Sequence, residues 1–167
     1  FGIIYGMSAF GLAKDLKISN DKAQEFIDRY FNRYPDVKKF MDEQIAQCEK
    51  KGYVLTLLNR RRYIPEINSK NNSIKLFAQR QAINTPVQGT AADLIKLAMI
   101  NIQKEIEKQN LESKMLITVH DELIFEIHES ELEEVPKKIE ELMESAFKMD
   151  VPLKVEAGIG ENWLEAH

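Results

Sequence analysis

Cysteine is almost missing from this chain: Cys48 stands alone among 167 residues. An intrachain disulfide is therefore impossible, and no cysteine-rich zinc site can form. A cytoplasmic setting is consistent with that. No stretch approaches the roughly 20 consecutive apolar residues that a membrane-spanning helix needs, and nothing at the start reads as a signal leader. Positive charge is also short, with 23 Lys and Arg against 27 Asp and Glu and a net charge of −4. The chain as a whole does not advertise nucleic-acid binding, so a polyanionic partner would require the basic residues to gather on one face. Internal repeats, low-complexity tracts and flexible linkers are missing too. What is present is a 44% hydrophobic content, enough to bury the core of one domain or of two small lobes.

Helices dominate the first half. Ser19 or Asn20 can cap a helix whose apolar residues fall at Ala23, Phe26, Ile27, Tyr30, Phe31 and Tyr34, the rhythm of one buried stripe. Pro35 interrupts it, and a second helix carries Val37, Phe40, Met41 and Ile45 until Gly52 ends it. Tyr53 to Leu58 and Tyr63-Ile64 read as short strands around the turn Leu58-Asn59-Arg60-Arg61, where Asn59 tolerates a positive φ. A helix from about Ser73 to Asn84 is expected to break at Pro86. Thr90 and Asp93 resemble a capping box for a new helix running to about Lys108, apolar on more than one face at Leu94, Ile95, Leu97, Ala98, Met99, Ile100 and Ile102. Ser130 and Glu133 form a second capping box, for a helix with Leu132, Val135, Ile139, Leu142, Met143 and Phe147 inward. A last strand from about Leu153 to Ala157 leads to Gly158, Gly160 and Trp163. The expected class is α+β: a mostly helical first portion, then a small antiparallel sheet backed by helices.

Four constellations can carry chemistry. Between that long helical segment and the Ser130 cap, Leu116 to Val119 and Leu123 to Glu126 flank His120-Asp121-Glu122. The stiff apolar flanks predict a hairpin that holds carboxylates in fixed positions at its tip, although an Asp-Glu pair there is also ordinary solvated turn chemistry. Phe1 to Gly6 has two glycines bracketing an aromatic at helical spacing. Each costs a helix about 1 kcal/mol against alanine, which points either to close approach of another group, or a hinge, or to a tightly packed helix end. Arg60-Arg61-Arg62 at a loop tip can contact phosphates or merely confer solubility. Arg80 and Asn84 share a helix face, and Gln88, beyond the Pro86 break, can be turned toward the same groove. Such a row suits hydrogen bonding to base edges, or it is a solvated face.

Taken together, Phe1-Gly2-Ile3-Ile4-Tyr5-Gly6-Met7-Ser8, Thr85-Pro86-Val87-Gln88-Gly89-Thr90-Ala91-Ala92-Asp93 and Val119-His120-Asp121-Glu122 resemble family A DNA polymerases in order and spacing. The resemblance covers essentially the whole chain. Gly158-Ile159-Gly160-Glu161-Asn162-Trp163 and His167 resemble the natural C-terminus of bacterial members, while Phe1, with neither cap nor leader before it, is expected to lie inside a larger protein.

The resemblance implies the end of the fingers subdomain over residues 1–74 and the end of the palm over 75–167. Phe1 would lie near the sugar of the incoming nucleotide, where phenylalanine disfavours dideoxynucleotides. Tyr5 would occupy the templating position in the open state of a closing fingers helix, with Gly2 and Gly6 letting the nucleotide approach. Arg60 and Arg61 would contact the template strand; the family often has glycine where Asn59 stands. Arg80, Asn84 and Gln88 would contact the primer–template, testing pair geometry through minor-groove acceptors that every base pair shares. His120 would sit beside the primer terminus, Asp121 would bind the catalytic metals and Glu122 would support it.

The implied reaction is two-magnesium nucleotidyl transfer in replication and repair, by a protein that is monomeric when complete and works in the bacterial cytoplasm at the nucleoid. Its partners are primer–template DNA and deoxynucleoside triphosphates, with no membrane. The family's second metal-binding aspartate and its triphosphate-gripping lysine and arginine lie upstream of these residues, so the isolated chain is expected to be inactive. A non-catalytic duplex-binding module is the alternative, for which Asp121 has no use. A metal-dependent nuclease fits less well, since no nuclease carboxylate set occurs.

Overall fold

The computed structural model describes residues 2–166 and divides into two compact units, Phe1–Thr90 and Ala91–His167. The class is α+β. Among the described residues no helix is long and apolar enough to cross a membrane.

The first unit opens with turns. Tyr5 N–H donates to the Gly2 carbonyl and Gly6 N–H to that of Ile3, both at 3.1 Å. The helix that the resemblance implied over these residues is therefore not formed in residues 2–6. Gly6 sits at φ 79°, outside the helical region, and the helix starts only after Ser8, whose hydroxyl caps Gly11 N–H. Helix α1 (Ala9–Leu16) packs on α2 (Asn20–Arg33). Ser19 caps α2 through Lys22 N–H at 3.3 Å, a contact worth about 1 kcal/mol. Pro35 opens α3 (Pro35–Lys51), and Gly52 ends it at φ 77°. The expected stripe on α2 is only partly core: Ala23 is buried, but Phe26 is 45% and Tyr34 51% exposed.

Strands β1 (Tyr53–Leu55) and β2 (Arg61–Tyr63) pair antiparallel in the register Tyr53↔Tyr63, Val54↔Arg62, Leu55↔Arg61. Both are shifted from the expected limits, because Thr56 N–H bonds the Arg60 carbonyl at 3.0 Å and draws residues 56–60 into the turn. Asn59 takes its expected positive φ, 62°. Val54 joins Cys48, Ile64, Ile67, Ala78 and Ala82 in one buried cluster, in which burial, and then Glu49, pushes the Cys48 thiol pKa up. Such a cysteine is packing, not a nucleophile.

Helix α4 (Asn72–Gln109) runs unbroken through Pro86. Proline removes an N–H and crowds the preceding turn, at a cost of about 3 kcal/mol in a helix interior, so a break was expected. Here Ala78, Ala82, Ile83, Leu94, Ala98 and Ile102 are buried along the helix, and packing on both sides of the proline outweighs that cost. Thr90 consequently caps nothing; its hydroxyl donates to the Pro86 carbonyl and accepts from Leu57 N–H. Beyond it, Leu94, Ala98 and Ile102 are buried, Ile95, Leu97 and Met99 are half-buried, and Ile100 is exposed.

In the second unit, β3 (Lys114–Val119) pairs antiparallel with β4 (Glu122–Glu126). The Ser130–Glu133 box does not form. His128 Nδ1 lies 2.8 Å from Ser130 Oγ, and α5 (Val135–Glu144) begins later, with Pro136 in its first turn. Residues 153–157 form no strand. Val155 N–H donates to Glu144 at 3.2 Å and Ala157 N–H to Glu140 at 3.0 Å, so carboxylates of α5 take the bonds that a ladder would need. The described sheet thus has two strands, and a short α6 (Trp163–Ala166) follows.

Candidate nucleic-acid and metal site

The hairpin tip in the second unit is as tight as its sequence predicts. Val119 faces Glu122 across the ladder, which leaves His120 and Asp121 as the whole turn. A two-residue connection demands positive φ at its first position, normally a glycine's place. His120 supplies it at φ 55°, which costs a non-glycine residue about 1–2 kcal/mol. Lys17, Asn59 and Asn110 take the same conformation, so the strain fixes the tip's shape and does not by itself name its role. The register also shifts between Met115 and Ile117, a bulge on the strand that feeds the tip. Asp121 is exposed and Glu122 half-buried at the start of β4. Carboxylate oxygens are the hard donors that magnesium takes, so the chemistry fits. The set is partial: among the described residues no group of three or more His, Cys, Asp or Glu could hold a metal ion.

The first unit gathers the basic and amide residues. Arg60, Arg61 and Arg62 do not form one loop tip, because strand alternation separates them. Arg62 Nη1 donates to Thr85 Oγ1 at 3.2 Å and Arg60 Nη2 to the Gly89 carbonyl at 3.0 Å, which fastens the hairpin to α4. Gly89 permits this approach, since a Cβ there would lie 2.6 Å from Thr56 Cγ2. Arg61 points elsewhere, its guanidinium carbon 5.0 Å from the Tyr53 ring centre. The neighbouring Tyr63 hydroxyl, then Tyr53, keeps its pKa above the usual guanidinium range.

Because α4 is unbroken, Arg80, Asn84 and Gln88 fall at four-residue spacing on one continuous helix face. That is a straighter row than a break at Pro86 would have allowed. Arg80 lies 5.9 Å from the Phe77 ring centre, and Gln88 is exposed. Asn84 Oδ1 is buried and finds no hydrogen-bond partner among the described residues. An unsatisfied buried acceptor costs about 1–3 kcal/mol, so it calls for explanation. Gly6 reaches this row: a Cβ on it would lie 3.2 Å from Arg80 Cγ and 3.6 Å from Ile83 Cδ1. Tyr5 is half-buried in the turns before it, and Phe1 lies outside the described residues. The structure thus brings Gly6, Arg80 and the arginine hairpin into the first unit, and His120, Asp121 and Glu122 into the second.

Sequence reasoning missed the anchoring role of three threonines. Thr56, Thr85 and Thr90 are buried and anchor the arginine hairpin, the first by accepting from Arg60 N–H at 3.1 Å. Their burial was not legible in a polar residue type. It also missed Glu131, which accepts from Glu112 N–H at 2.9 Å, from Ser113 N–H at 3.0 Å and from the Ser113 hydroxyl. The Ser113 hydroxyl first and the backbone of Glu112 next hold its carboxyl below the ordinary range.

The profile of DNA polymerase family A matches residues 1–165. The chain belongs to DNA polymerase family A. DNA polymerase I of Pseudomonas aeruginosa is 50% identical over 167 residues, and that of Bacillus caldotenax 47% over 166. These alignments take in 100% and 99% of this chain but 18% and 19% of those proteins, so it spans about a fifth of their length. A solved structure, the POL domain of Pol1 from M. smegmatis in complex with DNA primer-template and dNTP, superposes with a TM-score of 0.95 at 44% identity. That match covers 99% of this chain and 29% of the solved one. The fold and family read from three family A motifs are therefore both found.

Proposed function

We propose that this chain is the part of a DNA-directed DNA polymerase that supplies one metal-binding carboxylate and much of the primer–template grip. Support comes above all from Asp121, presented at a two-residue turn for which His120 accepts a left-handed conformation. A polymerase has a use for such strain, whereas a module that only binds the polyanion gains nothing from an exposed carboxylate facing it.

In this reading residues 1–74 close the fingers portion and residues 75–167 the palm portion. Phe1, Tyr5 and Gly6 border the incoming deoxynucleoside triphosphate, and Arg60 and Arg61 meet the template. Arg80, Asn84 and Gln88 reach the minor groove, where donors meet acceptors common to all base pairs. The buried Oδ1 of Asn84 then belongs to an amide whose NH2 is the group free to turn outward. His120 orients the primer terminus, and Glu122 keeps negative charge beside Asp121. Asp121 would hold magnesium together with donors from outside these residues. When bound, two such ions acidify the primer hydroxyl and neutralise the departing pyrophosphate. The complete protein acts as a monomer in replication and repair, in the cytoplasm at the nucleoid, and residues 1–167 alone do not extend a primer.

Primer extension by the complete protein, wild type against Asp121→Ala, tests this. Loss of extension with duplex binding retained is the expected result. Unchanged extension would leave the hairpin a structural element and the duplex-binding reading in place.

A further inference from the structure

The outer face of the first hairpin has a composition that fold maintenance alone does not call for. In the register of β1 and β2, Val54 and Arg62 face inward: Val54 lies in the core, and Arg62 is bonded to Thr85 on α4. Alternation puts Tyr53, Arg61 and Tyr63 on the opposite face. The two tyrosine rings meet edge to face, with centres 5.6 Å apart at 63°, and Arg61 lies over Tyr53. Tyr63 is nonetheless 66% exposed, so most of its ring covers nothing.

Charge gives the face a direction. No Asp or Glu occurs from Tyr53 to Pro65 in a chain that carries 27 of them, while three arginines occur there. Arg61 lies over the Tyr53 ring and is paired with no carboxylate among the described residues. A guanidinium oriented this way keeps its free N–H donors for an outside acceptor, and phosphate geometry matches them. A flat aromatic beside a phosphate-binding cation is how proteins hold single-stranded nucleic acid without reading its sequence, because every base has a π-face. Duplex bases are already stacked on one another and cannot use such a ring.

We infer that Tyr63, with Tyr53 and Arg61, forms a ledge on which the unpaired template strand lies, a base stacking on Tyr63 and its phosphate meeting Arg61. This rests on the polymerase reading and extends it from Arg61 to two tyrosines, and to the unpaired part of the template. The bland role of the same pair, cross-strand stabilisation of a short hairpin, predicts an effect on folding and none that depends on the DNA end.

The test uses the complete polymerase and two fluorescent DNAs, one primer–template with a long unpaired template overhang and one blunt duplex of the same paired sequence. Tyr63→Ala is expected to weaken binding of the overhang DNA about five-fold or more, the low end of one base–aromatic stack, and to leave blunt-duplex binding within two-fold. Tyr63→Phe keeps the ring and should retain the wild-type preference. Melting temperatures are measured alongside; where the alanine variant does not fold, Tyr63→Leu keeps bulk in the cross-strand pair and removes the aromatic face. Equal weakening on both DNAs, or none on either, overturns the ledge. Asp121→Ala in the same protein separates the two readings. If it abolishes extension while Tyr63→Ala shows no overhang effect, only the ledge falls. If it leaves extension intact, the metal-ligand role of Asp121 falls, and the overhang effect of Tyr63→Ala still decides the ledge.

Discussion

The two hairpins of this molecule solve different problems. The first, β1–β2, is fixed from outside itself: Thr90, Thr85 and Gly89 of α4 hold Leu57, Arg62 and Arg60 through side-chain hydrogen bonds. The second, β3–β4, sets His120 and Asp121 from within, by strand register and a two-residue turn. An element that meets a long polymer can tolerate give in its outer face so long as its base is anchored. A metal ligand cannot, because a hard divalent cation demands near-ideal donor geometry. On the proposed roles, the anchored base of the first hairpin and the short turn of the second would answer these separate demands.

The widest separation between them should come from Asp121→Ala in the complete protein. Extension is expected to fall on the order of 10³-fold or more, because several kcal/mol of charge stabilisation are lost, while duplex affinity stays within a few-fold; single-turnover extension and anisotropy read the two. On the other side, Thr90→Val leaves Leu57 N–H without its acceptor. It should destabilise the first hairpin by about 1–2 kcal/mol, seen as faster amide exchange over residues 53–63, with exchange in β3–β4 unchanged. Exchange that rose equally in both hairpins would mean that they do not behave as separate elements.

His120→Gly sharpens the contrast by releasing the strained turn. Stability should rise by about 0.5–1 kcal/mol as extension falls, so a loss of stability would show that His120 supports the fold instead. The smallest effect is expected from acid. Glu131 has a folded pKa below its ordinary value of 4.5, held there by hydrogen bonds from Ser113 and Glu112. A depressed carboxylate contributes stability that is present above the unfolded pKa and is lost as pH falls through the folded one. Protection factors of the Glu112 and Ser113 amides, corrected for intrinsic exchange, should therefore fall as pH drops below about 4.5, and Glu131→Gln should remove most of that dependence. An unaltered acid profile in Glu131→Gln would assign it to other carboxylates.

Local chemistry was legible wherever one residue decides the outcome. Ser19, Pro35 and Gly52 set the limits of α2 and α3, and Asn59 took its positive φ. The His-Asp tip was readable because stiff strands on both sides leave a bend nowhere else to go. Where tertiary packing competes, the sequence misled. Pro86 should end a helix, and burial on either side carried α4 through it. Ser130 and Glu133 match a cap, but His128 engages Ser130 and Pro136 defers the start of the helix. Leu153 to Ala157 has strand composition, yet Glu140 and Glu144 claim its amides. The site followed the same rule. The motifs named candidate residues in advance, whereas the threonines behind Arg60 and Arg62 were not singled out for that anchoring, since only the fold shows what they touch.

Calorimetric titration of magnesium into the complete protein, bound to primer–template and a non-hydrolysable nucleotide, tests the role of Asp121 most directly. Asp121→Asn keeps the shape of the turn and removes the charge. A metal ligand lost in this way should weaken magnesium binding at least ten-fold with the DNA still held. Magnesium affinity equal to wild type in Asp121→Asn would contradict the account, and the strained turn would then need another explanation.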